Sequence, residues 1–369
     1  MRKKLLTSTL MGVLIILAVI VAVATAGCGT ATQAAALPQA GPTDAQGILT
    51  QAFTSSDHIT SGTGDFNVSV TIDADAGKLP AGAQAFLGQP ITLSGTFAFS
   101  DDPQAAEATI NASIAGQTIP VGLKAVDDKV WVQFMGQWYE APADMMGAGA
   151  TGTTAKEPDM AGILQALTAA GVDPTTWMTN LKVVGEDSID GTPTYHLSGT
   201  IDMSKIMTDV VKLMQDKTIQ GMLPSVGSGA PGGTGSSITM PSQEELQAVQ
   251  GQLSTMFQNL TLDMWIAKDT YQFRQVELKA TIVQPAETTA STVAQATPTT
   301  DTATNALLAG AAQGIKSISI DATVSVAPAA APLTVTPPAG AKPFSELEQS
   351  LSGLMGLFSG ALGGAATGQ

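Results

Sequence analysis

The sequence predicts an α+β protein: a long antiparallel sheet, apolar on one face and wet on the other, covered by amphipathic helices. Two observations lead there. Hydrophobic residues alternate with polar ones through many short runs, and turn residues separate those runs. Elsewhere the apolar residues recur at helical spacing, in stripes that need a surface to cover.

The first helix is expected from Thr43, where Thr43 and Gln46 have capping-box spacing. Its stripe is Ile48, Leu49, Ala52 and Phe53. Strands follow. Phe66, Val68, Val70 and Ile72 alternate with polar residues, as do Ile91, Leu93, Phe97 and Phe99. The pattern continues through Ala108, Ile110, Ala112 and Ile114, then Val121, Leu123 and Ala125, then Val130, Val132 and Phe134. Met135-Gly136 reads as a hairpin turn leading to Trp138-Tyr139. A short helix is expected around Pro158–Leu167, and a single turn from Asp173-Pro174 to Trp177. Strands return at Leu181–Val184 and at Tyr195–Ile201.

Two longer helices come next. One carries Met203, Ile206, Met207, Val210, Val211 and Met214. The other follows the capping box Ser242–Glu245 and carries Leu246, Val249, Leu253, Met256 and Phe257. Leu260–Ile266 and Tyr271–Ile282 form a hairpin across Lys268-Asp269, and Ile318–Val326 is the last strand. Pro328–Pro343 ends it, and Phe344–Leu362 reads as an amphipathic helix thinned by glycine. The Gly, Ser and Pro of 224–240 and the Thr, Ala and Pro of 285–312 read as flexible insertions. The expected organisation is therefore a signal at 1–27, a tether at 28–42, one domain at 43–327 and a Pro-rich end with its helix at 328–369.

The amino end reads as a targeting segment. Arg2, Lys3 and Lys4 precede an uncharged apolar run from Leu10 to Ala24, which ends in Thr25-Ala26-Gly27 before Cys28. Those last four residues resemble the lipobox of bacterial lipoproteins, although Thr25 stands where Leu is usual. The resemblance implies cleavage before Cys28 and a diacylglycerol on its thiol, with palmitate a typical acyl chain. An uncleaved transmembrane anchor and ordinary secretion are the alternatives, and all three place the remainder outside the cytoplasmic membrane.

Composition narrows the function. Cys28 is the only cysteine, so neither an intramolecular disulfide nor a thiolate metal cluster can form. Beyond residue 27 the chain holds 13 basic against 31 acidic residues, about −18, which repels nucleic acid and anionic headgroups alike. Acyl chains, two or more, would supply membrane attachment. No nucleophile elbow, phosphate-binding loop or zinc-protease motif is present, so no catalytic residue, metal or cofactor is expected. His196 alternates with apolar residues and reads as a solvated histidine on the polar face; His58 reads as a helix C-terminal residue. Trp131, Trp138 and Trp265 read as packing under the sheet, or as rings lining a pocket.

The order of weak motifs resembles a family. A lipobox cysteine precedes a helix and the run Ser56-Asp57-His58-Ile59-Thr60-Ser61. Then come Val130-Trp131-Val132 with Gly136-Gln137-Trp138-Tyr139, and Gly185-Glu186-Asp187 with Tyr195-His196-Leu197. Leu262–Asp269 and Arg274–Leu278 follow. Together, over residues 43–327, they resemble the LppX/LprAFG lipoproteins within the LolA-like superfamily. The resemblance implies a strongly curved antiparallel half-barrel with helices covering the concave face. It implies an apolar cavity between sheet and helices that carries the acyl chains of a lipid or lipoglycan through the cell envelope.

Leu49, Phe53, Ile206, Val210, Met214, Leu246, Val249, Leu253 and Met256 are the expected cavity lining, since methionine adapts well to acyl chains. A structural lipoprotein of the same fold, without a ligand and with an envelope protein partner, is the alternative. An envelope hydrolase is a third reading, for which no nucleophile–base set is apparent.

Overall fold

The computed structural model describes residues 43–55, 59–78, 87–114, 116–126, 129–142, 169, 171–215, 256–283, 314–331 and 333–349. Among them twelve strands form one large, open, curved sheet, with few helices. The strands are β1 (Ser61–Ala74), β2 (Ile91–Asp101), β3 (Gln104–Ile114), β4 (Gln117–Val126), β5 (Lys129–Phe134) and β6 (Gln137–Ala141). They continue with β7 (Met178–Ile189), β8 (Thr192–Ile201), β9 (Phe257–Ala267), β10 (Phe273–Val283), β11 (Ile315–Pro328) and β12 (Lys342–Pro343). Their order across the sheet is β12-β6-β5-β4-β3-β2-β1-β11-β10-β9-β8-β7. All neighbours are antiparallel except β12 on β6. The helices are α1 (Ala45–Thr54) and α2 (Met203–Gln215), and residues 344–349 are also helical with Leu347 buried; the remainder of the helix expected to Leu362 lies outside the described residues.

The alternation seen in the sequence becomes two faces. Residues paired across an antiparallel ladder share a face, so registers extend into rows. One row runs Leu197, Met264, Val276, Val324, Phe66, Gly95, Ile110, Val121, Phe134. The opposite face carries His196, Trp265, Gln275, Ser325, Asp65, Thr96, Thr109, Gly122, Gln133 and Trp138 in a parallel row.

Two phenylalanine–glycine pairs interleave on the apolar face. Phe66 lies opposite Gly95, and Phe97 opposite Gly64. A Cβ on Gly95 would come within 2.9 Å of the Phe66 ring. Each ring therefore occupies the room its partner leaves, which is a known way for a strand glycine to be tolerated where a sheet bends.

The core lies under the half of the sheet from β1 to β8. Ile48 and Leu49 of α1 are completely buried there with Leu197, Met264, Ile266, Val276, Leu278, Ala322 and Val324. Phe53 packs edge-on against Phe273 at 5.5 Å between centroids. Polar contacts pin both ends of α1: Gln46 Nε2 donates to Thr175 O at 3.4 Å, and Ser55 Oγ to Thr270 O at 3.1 Å.

Several local expectations are corrected. The N-cap of α1 is Asp44 rather than Thr43; its carboxylate accepts from Gly47 N at 2.8 Å, a stronger acceptor than a hydroxyl. Phe257 opens β9 opposite Ile282 instead of closing a helix. The β9–β10 turn is longer than Lys268-Asp269, closing through Ala267 N to Gln272 O with Tyr271 at φ +57°. Strand β7 is twelve residues long rather than the four expected.

Both edges of the sheet are guarded. Strand β7 has two register shifts, which interrupt the row of hydrogen-bonding groups it offers. At the other edge β12 is two residues long and includes Pro343. The chain before β12 lies back on the sheet: Val335 is buried, Lys124 Nζ donates to Thr336 O at 3.4 Å, and Gln137 Nε2 to Gly340 O at 3.4 Å.

Candidate functional site

The apolar face continues beyond the reach of α1. Past β1 its rows run through Leu93, Ala112 and Ile119, and through Phe97, Ala108, Leu123 and Val132 to Tyr139. Here most side chains are only half-buried, whereas those beneath α1 are nearly all buried. Phe97 and Phe99 stack at 6.4 Å in this half. A surface of this kind, apolar along its rows until Gln137 and Tyr139 on β6, matches hydrocarbon.

The predicted lining residues fall into three sets. Leu49, Phe53 and Met256 come together against the core cluster, Leu49 fully buried and the other two partly. Ile206 is half-buried on α2, and Val210 and Met214 lie on the backbone of the same helix, their side chains outside the described part. Leu246, Val249 and Leu253 lie outside the described residues, as do Cys28, His58 and the helix expected at 158–167.

A buried carboxylate and its three donors hold α2. Asp202 caps it, accepting from Lys205 N at 3.0 Å. Asp209 is completely buried, bonded to Lys205 (2.5 Å), Lys212 (2.8 Å) and the indole N–H of Trp177 (2.9 Å). Burial raises the carboxyl pKa, but hydrogen bonds from Lys205, Lys212 and Trp177, with the charge of Lys205, outweigh it and hold the group well below the usual carboxylate range. The signal was present as Lys205-x3-Asp209-x2-Lys212, which puts both ammonium groups on one helix face around the carboxylate.

On the polar face, His196 is less solvated than expected. Its side chain is 18% exposed, it stacks on Trp265 at 4.3 Å, and Nε2 lies 2.9 Å from Asp263 Oδ1. Trp265 is buried on this same face, not under the apolar one, and donates to Asp187 Oδ2 at 3.0 Å. Trp131 is buried on this face too, while Trp138 borders a groove of about 470 Å³. A second groove of about 350 Å³ lies between Ser69, Asp321 and Lys279. Both belong to the polar face, away from Leu49 and Phe53.

Arg274 is 6% exposed, with Nε and Nη1 unpartnered. Burial pushes its guanidinium pKa down, and Asp269 and Asp190 oppose that shift. Among the described residues no three His, Cys, Asp or Glu side chains are grouped to hold a metal ion, and no helix is long and apolar enough to cross a membrane.

Comparison with known proteins gives one family-model match over part of the chain and a set of distant structural similarities. The family model described as LppX_LprAFG lipoprotein matches residues 92–223. Lipoprotein LppX of Mycobacterium tuberculosis is similar at 12% identity and a TM-score of 0.30, over 79% of this chain and 97% of its own. LprF of Mycobacterium bovis is similar at 15% identity and 0.29, over 80% and 97%. A LolA superfamily protein of Nitrosomonas europaea shows 10% identity and 0.19, over 80% and 96%. No curated protein matches the sequence.

Proposed function

We propose that this chain, whose residues 92–223 match the model of the LppX_LprAFG lipoproteins, is a member of that family and an envelope lipoprotein that binds or carries a lipid-like amphiphile by its acyl chains. The carrying observation is the apolar face. Its rows run uninterrupted from Leu197 to Phe134, yet only the half beneath α1 is fully buried. Acyl chains are flexible and apolar, and would cover the other half without needing a polar partner. Helices over the concave face, with Ile206, Val210, Met214, Leu246, Val249, Leu253 and Met256 turned toward the sheet, would complete the cavity.

Cys28 would carry the lipid that holds the protein on the outer face of the cytoplasmic membrane. The protein would be a binder, without catalytic group, metal or cofactor, and without affinity for nucleic acid.

Mass spectrometry of organic extracts from the purified full-length protein tests this reading. An amphiphile present in stoichiometric amount, and reduced in Val121→Glu with the thermal midpoint retained, is the expected result. Val121 is half-buried on the apolar row, so a carboxylate there is tolerated by the fold and hostile to hydrocarbon. Extracts free of amphiphile in the parent would leave the structural lipoprotein as the better reading.

A further inference from the structure

The polar face carries a groove of about 470 Å³, within the size range of small-molecule sites, that the apolar-face reading does not use. We infer that this groove binds a neutral, hydroxyl-rich saccharide.

The groove is built around Trp138. The indole lies over Gly122, where a Cβ would come within 3.0 Å of the ring. Glycine thus lets the ring lie low on the sheet as a platform. Trp138 remains half-buried, so part of the ring faces the groove. Planar polar groups surround it. Gln133 is its cross-strand partner, and Glu107 and Lys124 form a 3.9 Å ion pair beside it. Lys124 Nζ stands over the Trp138 ring, 5.6 Å from its centre, so a sugar stacked on the indole would sit next to this ammonium or turn it aside. Asp65 borders the groove, and Asp190, at the tip of the β7–β8 hairpin, closes it from the far edge of the sheet. The hydroxyls of Thr96 and Thr109 line the floor.

Charge selects the ligand class. Three carboxylates face one ammonium, so phosphates, sulfates and carboxylates are repelled. Carboxylates, an amide and hydroxyls instead match a ligand that both donates and accepts hydrogen bonds at many positions. An aromatic platform takes the apolar C–H face of a sugar ring. Hydrocarbon is excluded, because burying these polar groups without partners is costly.

The test uses the full-length protein in detergent with linear oligosaccharides of glucose, mannose, galactose and N-acetylglucosamine, read by saturation-transfer NMR and titration calorimetry. At least one neutral oligosaccharide should bind, and its phosphorylated form should bind more weakly. Glu107→Gln and Gln133→Ala should each weaken binding by about tenfold at an unchanged thermal midpoint. These two side chains are partly exposed, so the test stands even where Trp138→Ala unfolds the sheet. A glycolipid with the same sugar separates the sources: equal affinity assigns the saccharide alone to the groove, and higher affinity adds a lipid contribution elsewhere. Absence of binding at millimolar concentration, binding that survives both substitutions, or a preference for the phosphorylated form would overturn the inference. None of these outcomes depends on whether the apolar face carries lipid.

Discussion

Trp177 donates its indole N–H to Asp209 at 2.9 Å, and by that bond the turn before β7 holds helix α2. The carboxylate is completely buried and its only described compensation is this indole and two ammonium groups. Asp209→Asn should cost on the order of 3 kcal/mol, because it strands Lys205 and Lys212 beside an uncharged amide. Chemical denaturation followed by tryptophan fluorescence measures it.

The same carboxylate sets an acid limit. Its folded pKa is below the unfolded value, so its contribution is complete above the usual carboxylate range. That contribution is lost as pH falls through and below this range. The thermal midpoint of the parent should fall steeply on acidification, and the fall should be shallower in Asp209→Asn. Equal slopes in the two proteins would refute the assignment.

Arg274 makes the opposite case. Its guanidinium is buried with Nε and Nη1 unpartnered, while Asp190 and Asp269 are exposed. Replacing the buried cation by an apolar side chain of similar length removes an unmet desolvation cost. Arg274→Met should raise stability by about 1–3 kcal/mol, and a lower denaturation midpoint would show that an ion pair holds it.

Gly95 is predicted to be intolerant. A Cβ there would run into Thr109 O and the Phe66 ring, so Gly95→Val should cost about 1–3 kcal/mol or more. Gly136, in an open turn with nothing within 4 Å of a Cβ and φ +83°, is a useful contrast. Gly136→Asn should change little, since asparagine accepts positive φ.

Cys28→Ala should abolish incorporation of radiolabelled fatty acid in a lipoprotein-processing host. Equal label in variant and parent would end the lipid-anchor reading.

The sheet was legible because period-2 alternation is its direct imprint: Phe66, Val68 and Val70 do share a face with Val324, Ala322 and Ile320. Boundaries were less so. Phe257 continues a helical spacing begun at Leu246, and only its pairing with Ile282 makes it a strand residue. Tyr271 takes a positive φ that no local residue type announces. Trp265 was misplaced for a different reason. Its hydrophobicity suggests the apolar face, but its position beside His196 in the row, and the Asp187 acceptor, place it on the wet one. The groove at Trp138 depends on long-range registers that bring Asp190 near β1, β4 and β5, and sequence spacing carries no trace of that.

The central ladder joins the first strand to the eleventh, Phe66 opposite Val324. Strands β1 to β6 can assemble as a hairpin series soon after they emerge, but β7 to β10 have no seam to them until β11 arrives. Completion of the sheet must therefore wait for nearly the whole chain, and until then the facing edges of β1 and β10 stay unpaired. A chain delivered amino end first would pass through an interval with two open edges, in which a companion that shields strand edges would raise the yield of folded protein.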